Sequence, residues 1–140
     1  MSISNLIQDL LNEISDEFIP PLKETVDIEA YSTKMVNNAN ILSIIDCGRL
    51  AGFMAVYCND PNKETGYGTM LAISNSHRNY GIGPQLIKMT VDYLKKRGFK
   101  KFSLEIYKTN PRVILLYKRL GFYIEKETEK SVFAYKILNE

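Results

Sequence analysis

The sequence contains few of the residues that bind metals or form disulfides. Its 140 residues include one histidine, His77, and two cysteines, Cys47 and Cys58. A structural zinc site takes about four cysteine or histidine ligands, so a lone histidine argues against one. The spacing of the two cysteines suggests neither a disulfide nor a metal site. We therefore expect no metal and two free thiols.

The chain also lacks a strong charge imbalance and a long apolar run. Eighteen basic and sixteen acidic residues leave a formal net charge of +2, whereas nucleic-acid binding needs a clustered basic face. No apolar run approaches the roughly 20 residues of a membrane span. The first residues are acidic and do not resemble a secretion signal. We expect a cytoplasmic protein that binds neither nucleic acid nor membranes.

What remains is the composition of an ordinary globular protein. Hydrophobic residues make up 45% of the chain and charged residues 24%, enough for a core at this length. We find no repeats, low-complexity segments or linker, so we expect residues 1–140 to form a single domain.

The hydrophobic periodicity predicts an alternation of strands and helices. Three strands, a helix, a strand, a helix and two strands give a mixed α/β (α+β) fold, in which a central crossover makes its flanking strands parallel. The helices are expected at 2–15, 28–38, from a glycine turn to residue 97, and from residue 110 onward; the strands are expected at 41–45, 50–57, 65–73, 101–107, 122–125 and 131–137.

The stretch from Leu71 to Arg97 joins a strand to a helix through a glycine turn. Gly81 and Gly83 let the backbone turn sharply and approach a ligand, while the new helix presents unpaired N–H groups and its positive dipole end. This arrangement predicts a phosphate site. The expected donors are the backbone amides of Asn79, Tyr80, Gly81, Ile82 and Gly83.

Two motifs resemble those of a known family. Arg78-x-x-Gly81-x-Gly83 is similar to the acetyl-CoA-binding motif of the GNAT superfamily of N-acetyltransferases, and Asn110-Pro111-x-x-x-x-Leu116-Tyr117-x-x-x-Gly121-Phe122 resembles a second signature of that family. The resemblance covers about residues 41 to 125. It implies a GNAT fold, with a mixed sheet of about six strands flanked by about four helices. Two departures are Pro84, which cannot donate an N–H, and a first strand that is missing or very short.

The resemblance implies how acetyl-CoA would bind. In GNAT proteins the strands beside the crossover splay apart, and the pantetheine arm enters the gap. The backbone of Leu71, Ala72 and Ile73 would then hydrogen-bond the pantetheine amides. Asn110 would cap its helix and contact the pantetheine arm or orient Tyr117, and Arg78 would hold the loop or touch phosphate.

The resemblance also implies two catalytic roles. Tyr117 lies on an apolar helical stripe typical of a core tyrosine, but in the family a tyrosine there protonates the departing thiolate. Glu105 lies on the strand face opposite Leu104 and Ile106, as in the similar ribosomal-protein alanine N-acetyltransferases, where the matching glutamate is the base. Many relatives have an acidic residue where this chain has Met70. Glu105 is therefore the obvious carboxylate, and a solvated Glu105 with water as the base is the alternative.

These observations favour an acetyl-CoA-dependent N-acetyltransferase, in which a bound primary amine attacks the thioester directly. The expected partners are acetyl-CoA and an amine acceptor, which would be a small metabolite, an amino sugar or a protein N-terminus. The alternative is a CoA-binding sensor or regulatory module without turnover. The protein would be a monomer or a homodimer.

Overall fold

A computed structural model describes residues 2–108 and 111–138. Within these residues the chain forms five α-helices and six strands. The helices are α1 (Ile3–Ile14), α2 (Leu22–Thr25), α3 (Ile28–Asn38), α4 (Ile82–Lys96) and α5 (Pro111–Arg119). The strands are β1 (Asn40–Asp46), β2 (Arg49–Tyr57), β3 (Thr65–Ile73), β4 (Lys101–Tyr107), β5 (Tyr123–Glu127) and β6 (Ser131–Ile137).

The order of strands and helices confirms the fold expected from the sequence. No strand precedes Asn40 in the described part of the chain, in agreement with the expected departure at the first strand. Side chains cap the starts of α1 and α3: Ser2 accepts from the Asn5 N–H at 3.2 Å and Asp27 from the Glu29 N–H at 3.2 Å. The short helix α2, after the two consecutive prolines, was not predicted.

The six strands form one mixed sheet in the order β1-β2-β3-β4-β6-β5. The β3–β4 pair is parallel, as the crossover through α4 requires, and the other neighbours are antiparallel. The parallel pairing runs only from Thr65 opposite Lys101 to Gly68 opposite Leu104. Beyond Gly68 the two strands separate, and a gap opens at their carboxyl ends.

A bulge in β3 lies where this gap begins. Ala55 of β2 pairs with Met70, whereas the next residue, Val56, pairs with Gly68. Thr69 is therefore the extra residue of a β-bulge, which bends a strand and increases its local twist. The pairing of β3 with β4 ends at this bulge.

The two faces of the sheet are covered to different extents. On one face α4 and α5 pack over the strands, with Leu86, Leu94 and Tyr117 almost fully buried. On the other face α1 and α3 cover the β1–β3 half, where Ile7 and Met35 lie in the same cluster as several residues of β2 and β3. The β4–β6–β5 half of that second face retains exposed aromatic side chains. No helix in the described residues has the length and apolarity to span a membrane.

Candidate active site

The glycine turn presents free backbone donors at the start of α4. Gly81 has φ +76° and Asn79 has φ +69°, so the chain reverses through left-handed conformations before the helix begins. The Gln85 N–H donates to the Gly81 carbonyl at 3.1 Å. Within the described residues, the N–H groups of residues 79–83 donate to no other protein group. These donors are available to an anion, which the helix dipole also favours.

Pro84 removes one donor from this cluster but does not disturb the helix. It is the third residue of α4, where a backbone N–H has no acceptor within the helix. The amides of Ile82 and Gly83, which precede it in the first turn, remain.

The two glycines of the turn have different reasons to be glycine. Gly81 needs its left-handed conformation, whereas Gly83 has helical geometry. A Cβ on Gly83 would meet only Leu116 Cδ2, at 3.8 Å, which is an ordinary contact. The fold therefore does not require a glycine at 83, and its missing side chain leaves space beside the free amides. The same contact places α5 against the glycine turn.

Two carboxylates from the N-terminal segment hold the loop before the turn. Glu13 accepts from the Ser74 hydroxyl at 3.0 Å and from the Asn75 N–H at 2.7 Å. Glu17 accepts from the Arg78 guanidinium, which also donates to the Ile73 carbonyl at 3.2 Å. Of the two roles considered for Arg78, this geometry corresponds to holding the loop.

The end of β3 presents its backbone to the gap. Leu71, Ala72 and Ile73 pair with β2 on one edge. Their other edge has no strand partner within residues 2–108 and 111–138, because the pairing with β4 ends at Gly68. An extended ligand in the gap can therefore hydrogen-bond this edge as another strand would.

Tyr117 is buried where α5 crosses the sheet. Its side chain is 1% exposed and packs edge-to-face on Phe122, with ring centroids 5.0 Å apart. Burial raises the pKa of the Tyr117 hydroxyl, which therefore remains protonated at neutral pH. Asn110, expected to contact pantetheine or orient Tyr117, lies outside the residues that the structure describes.

Glu105 lies one residue beyond the last β3–β4 pair, at the mouth of the gap. Its carboxylate is half-buried and accepts a hydrogen bond from the Ser131 hydroxyl at 2.6 Å. Ser131, on β6, is 2% exposed. No ion pair of the described residues involves Glu105. Within the same ranges, no group of three potential metal-ligating side chains occurs.

Four tyrosines lie on the same side of the sheet as Glu105, and we call them the tyrosine cluster: Tyr31, Tyr57, Tyr67 and Tyr107. Burial raises the pKa of Tyr67, and the nearby Glu105 and Tyr107 raise it further. Burial likewise raises the pKa of Tyr31, with smaller contributions from Tyr57 and Tyr107. The sequence analysis missed the cluster, Ser131 and Glu13 as parts of the site.

Comparisons with known proteins agree with this geometry. The model of the acetyltransferase (GNAT) family matches residues 7–122. An uncharacterised N-acetyltransferase of Methanocaldococcus jannaschii is 36% identical over 88 residues, which cover 60% of this chain and 38% of that protein. A mycothiol acetyltransferase of Acidimicrobium ferrooxidans is 30% identical over 61% of this chain and 28% of its own. The chain thus spans well under half the length of the curated relatives that it matches.

Among solved structures, the PaiA N-acetyltransferase of Thermoplasma acidophilum in complex with coenzyme A superposes with a TM-score of 0.80 and 16% identity, covering 96% of this chain and 92% of that one. This likeness extends to the whole fold, including the six-stranded mixed sheet. The family model, which matches most of the sequence, identifies this chain as a member of the GNAT acetyltransferase family, and the likeness of fold agrees with it.

Proposed function

We propose that the protein is an acetyl-CoA-dependent N-acetyltransferase that transfers the acetyl group to a primary amine by direct attack. One observation carries the proposal: the parallel β3–β4 pair ends at Gly68 opposite Leu104 and leaves a gap. Free amides lie near one end of this gap and a carboxylate without a cationic partner in the described residues lies at its mouth.

The cofactor would bind mainly through the backbone. The amides of residues 79–83 would hold the pyrophosphate, with Arg78 keeping the preceding loop in place. The pantetheine arm would lie in the gap, against the free edge of Leu71, Ala72 and Ile73. In this arrangement the thioester would lie between α5, which carries Tyr117, and the sheet.

The chemistry needs one base and one acid. Glu105 would take a proton from the bound ammonium, because only the neutral amine can attack a thioester. As the C–N bond forms and the C–S bond breaks, the Tyr117 hydroxyl would give its proton to the departing sulfur. Apolar surroundings raise the pKa of a thiol as well as that of a phenol, so burial does not by itself oppose this transfer.

Replacing Tyr117 by Phe tests the acid role. The ring and its packing on Phe122 are kept, so acetyl-CoA affinity measured by calorimetry should be unchanged. Turnover, followed as thiol release, should fall by roughly 10²- to 10⁴-fold, the usual contribution of a general acid. Unchanged turnover would remove Tyr117 from the mechanism, and no acetyl-CoA binding at millimolar concentration would overturn the proposal as a whole.

A CoA-binding sensor without turnover is the second candidate. Pro84 takes one N–H out of the phosphate site, and no strand precedes Asn40 in the residues described. Tight CoA binding combined with no thiol release for any amine would favour the sensor.

A further inference from the structure

On the second sheet face, a carboxylate of β4 lies among the tyrosines of α3, β2, β3 and β4, and we call the surface formed by Glu105 and the tyrosine cluster the cleft. Tyr57 and Tyr67 are directly opposite each other in the β2–β3 pair. Glu105 and Tyr107 are two residues apart on β4, so their side chains project from the same face of the sheet. Tyr107 is opposite Ser131, whose hydroxyl holds Glu105. Tyr31 reaches this group from α3.

We propose that this cleft binds an aliphatic ammonium ion, held between the carboxylate of Glu105 and the rings of the tyrosine cluster. The inference rests on the proposed function, under which this ammonium is the acetyl acceptor.

Charge favours a cation over an anion in the cleft. Glu105 has a hydroxyl partner but forms no ion pair in the described part of the chain. Lys101 of β4 and Lys126 of β5 are placed over the rings of Tyr135 and Phe133, at 4.7 and 4.8 Å from the ring centroids. Lys101 also pairs with a carboxylate of β5. A cationic ligand would supply the charge that these lysines do not.

The aromatic walls add to this preference. A cation over a tyrosine ring gains about 0.5 to 2 kcal/mol, depending on how far it is desolvated. Tyr67 is 38% exposed and Tyr107 is 53% exposed, so a ligand can reach both rings. A carboxylate anywhere on a short ligand, within roughly 10 Å of the bound ammonium, would be repelled by Glu105. The cleft therefore fits a diamine or a longer aliphatic amine better than an amino acid.

A pair of ligands with chains of similar length tests the cleft without relying on turnover. The protein is saturated with CoA, which carries no acetyl group, and titrated by calorimetry with 1,5-diaminopentane or with 6-aminohexanoate. We expect the diamine to bind at least about tenfold more tightly, because its far end is a cation and not a carboxylate. Equal affinity for the two ligands, or no saturable binding of the diamine, would overturn the inference.

Variants of the tyrosine cluster test whether the tyrosine rings bind the diamine. Tyr67→Leu and Tyr107→Leu should each weaken diamine binding about three- to tenfold, whereas the Phe variants, which keep the ring, should retain most of it. Tyr123→Leu removes an exposed tyrosine of β5 outside the cluster and should change nothing. An equal loss in the Tyr123 variant, or none in the Leu variants, contradicts the proposal. Circular dichroism checks that each variant is folded.

The same proteins separate this inference from the proposed function. If the protein releases thiol from acetyl-CoA but the Leu variants change this rate for none of the amines tried, the transferase function is supported and the ammonium site is rejected. If the diamine binds through the tyrosine cluster but no thiol is released from acetyl-CoA, the ammonium site is supported and the transferase proposal is rejected.

Discussion

The proposed cofactor side and the proposed acceptor side of the β3–β4 gap are built in different ways. The cofactor side uses consecutive residues and mostly backbone groups, since residues 79–83 present their amides from a single turn. The acceptor side uses side chains from α3, β2, β3, β4 and β6. A site made of backbone groups tolerates many substitutions and depends on a few glycines, whereas a site made of side chains depends on each of them.

The largest effect should come from the acceptor side, at Glu105. Glu105→Gln keeps the size of the side chain and a group that can accept from Ser131, but it cannot take a proton at neutral pH. We expect kcat/KM to fall roughly 10²- to 10⁴-fold with acetyl-CoA affinity unchanged. Glu125→Gln, at an exposed carboxylate paired with Lys101, is the matched control. A fall of less than tenfold in the Glu105 variant would mean that water acts as the base.

On the cofactor side, the matching test is Gly83→Glu. The new carboxylate would lie beside the amides and repel pyrophosphate, so we expect acetyl-CoA affinity to drop about 100-fold or more. Stability should hold, because there is room for a Cβ at 83 and an acidic side chain in the first turn suits the helix dipole.

Gly83→Ala is the control for this variant. It should raise the free energy of unfolding by about 0.5 to 1 kcal/mol, since alanine is the better helix former, and change affinity little. Unaltered cofactor binding by Gly83→Glu would show that the pyrophosphate lies elsewhere. The affinities follow from calorimetry and the stabilities from urea unfolding.

The contrast between the two sides also explains what the sequence could predict. The bounds of α3, β3 and β4 agree with those read from hydrophobic periodicity and turn residues, which are local signals. The glycine turn was predicted for the same reason, because its function depends on a short run of backbone. The gap, in contrast, was expected only from the family resemblance, and the bulge where it begins is defined by the register of β3 with β2.

Contacts between distant parts of the chain gave no such signal. Glu13 and Glu17 lie 61 or 62 residues before the loop that they hold, and each would look like an ordinary solvated helix residue. Ser131 meets Glu105 only because β6 returns beside β4. The tyrosine cluster needs the register of three strands and the position of α3 at once, so its members could not be grouped from spacing.

A smaller effect is expected at Ser131, whose hydroxyl would orient the Glu105 carboxylate without taking part in proton transfer. Ser131→Ala removes the hydrogen bond that orients the Glu105 carboxylate, and bonds to charged groups contribute about 1.5 to 3 kcal/mol. We expect kcat to fall about tenfold while KM for acetyl-CoA stays constant. Ser103→Ala, on the same face of β4 and two residues before Glu105, should have little effect. If the two alanine variants behave alike, the hydroxyl of Ser131 does not position Glu105.

The smallest expected effect is on stability at alkaline pH. It compares Tyr117, on the sheet face covered by α4 and α5, which we call the closed face, with Tyr67 in the cleft. Burial raises the pKa of Tyr117, so above pH 10 the unfolded chain loses a proton that the native protein keeps. Stability therefore falls as the pH rises, and Tyr117→Phe should abolish this part of the fall, about 0.8 kcal/mol at pH 10.5. Tyr67→Phe should abolish less, because its partly exposed ring is less desolvated and its pKa is raised more weakly. Urea unfolding at pH 8 and 10.5 measures both differences. Equal losses in the two variants would mean that the closed face does not exclude water from Tyr117, and an acid that donates to sulfur within that face would then lose its physical basis.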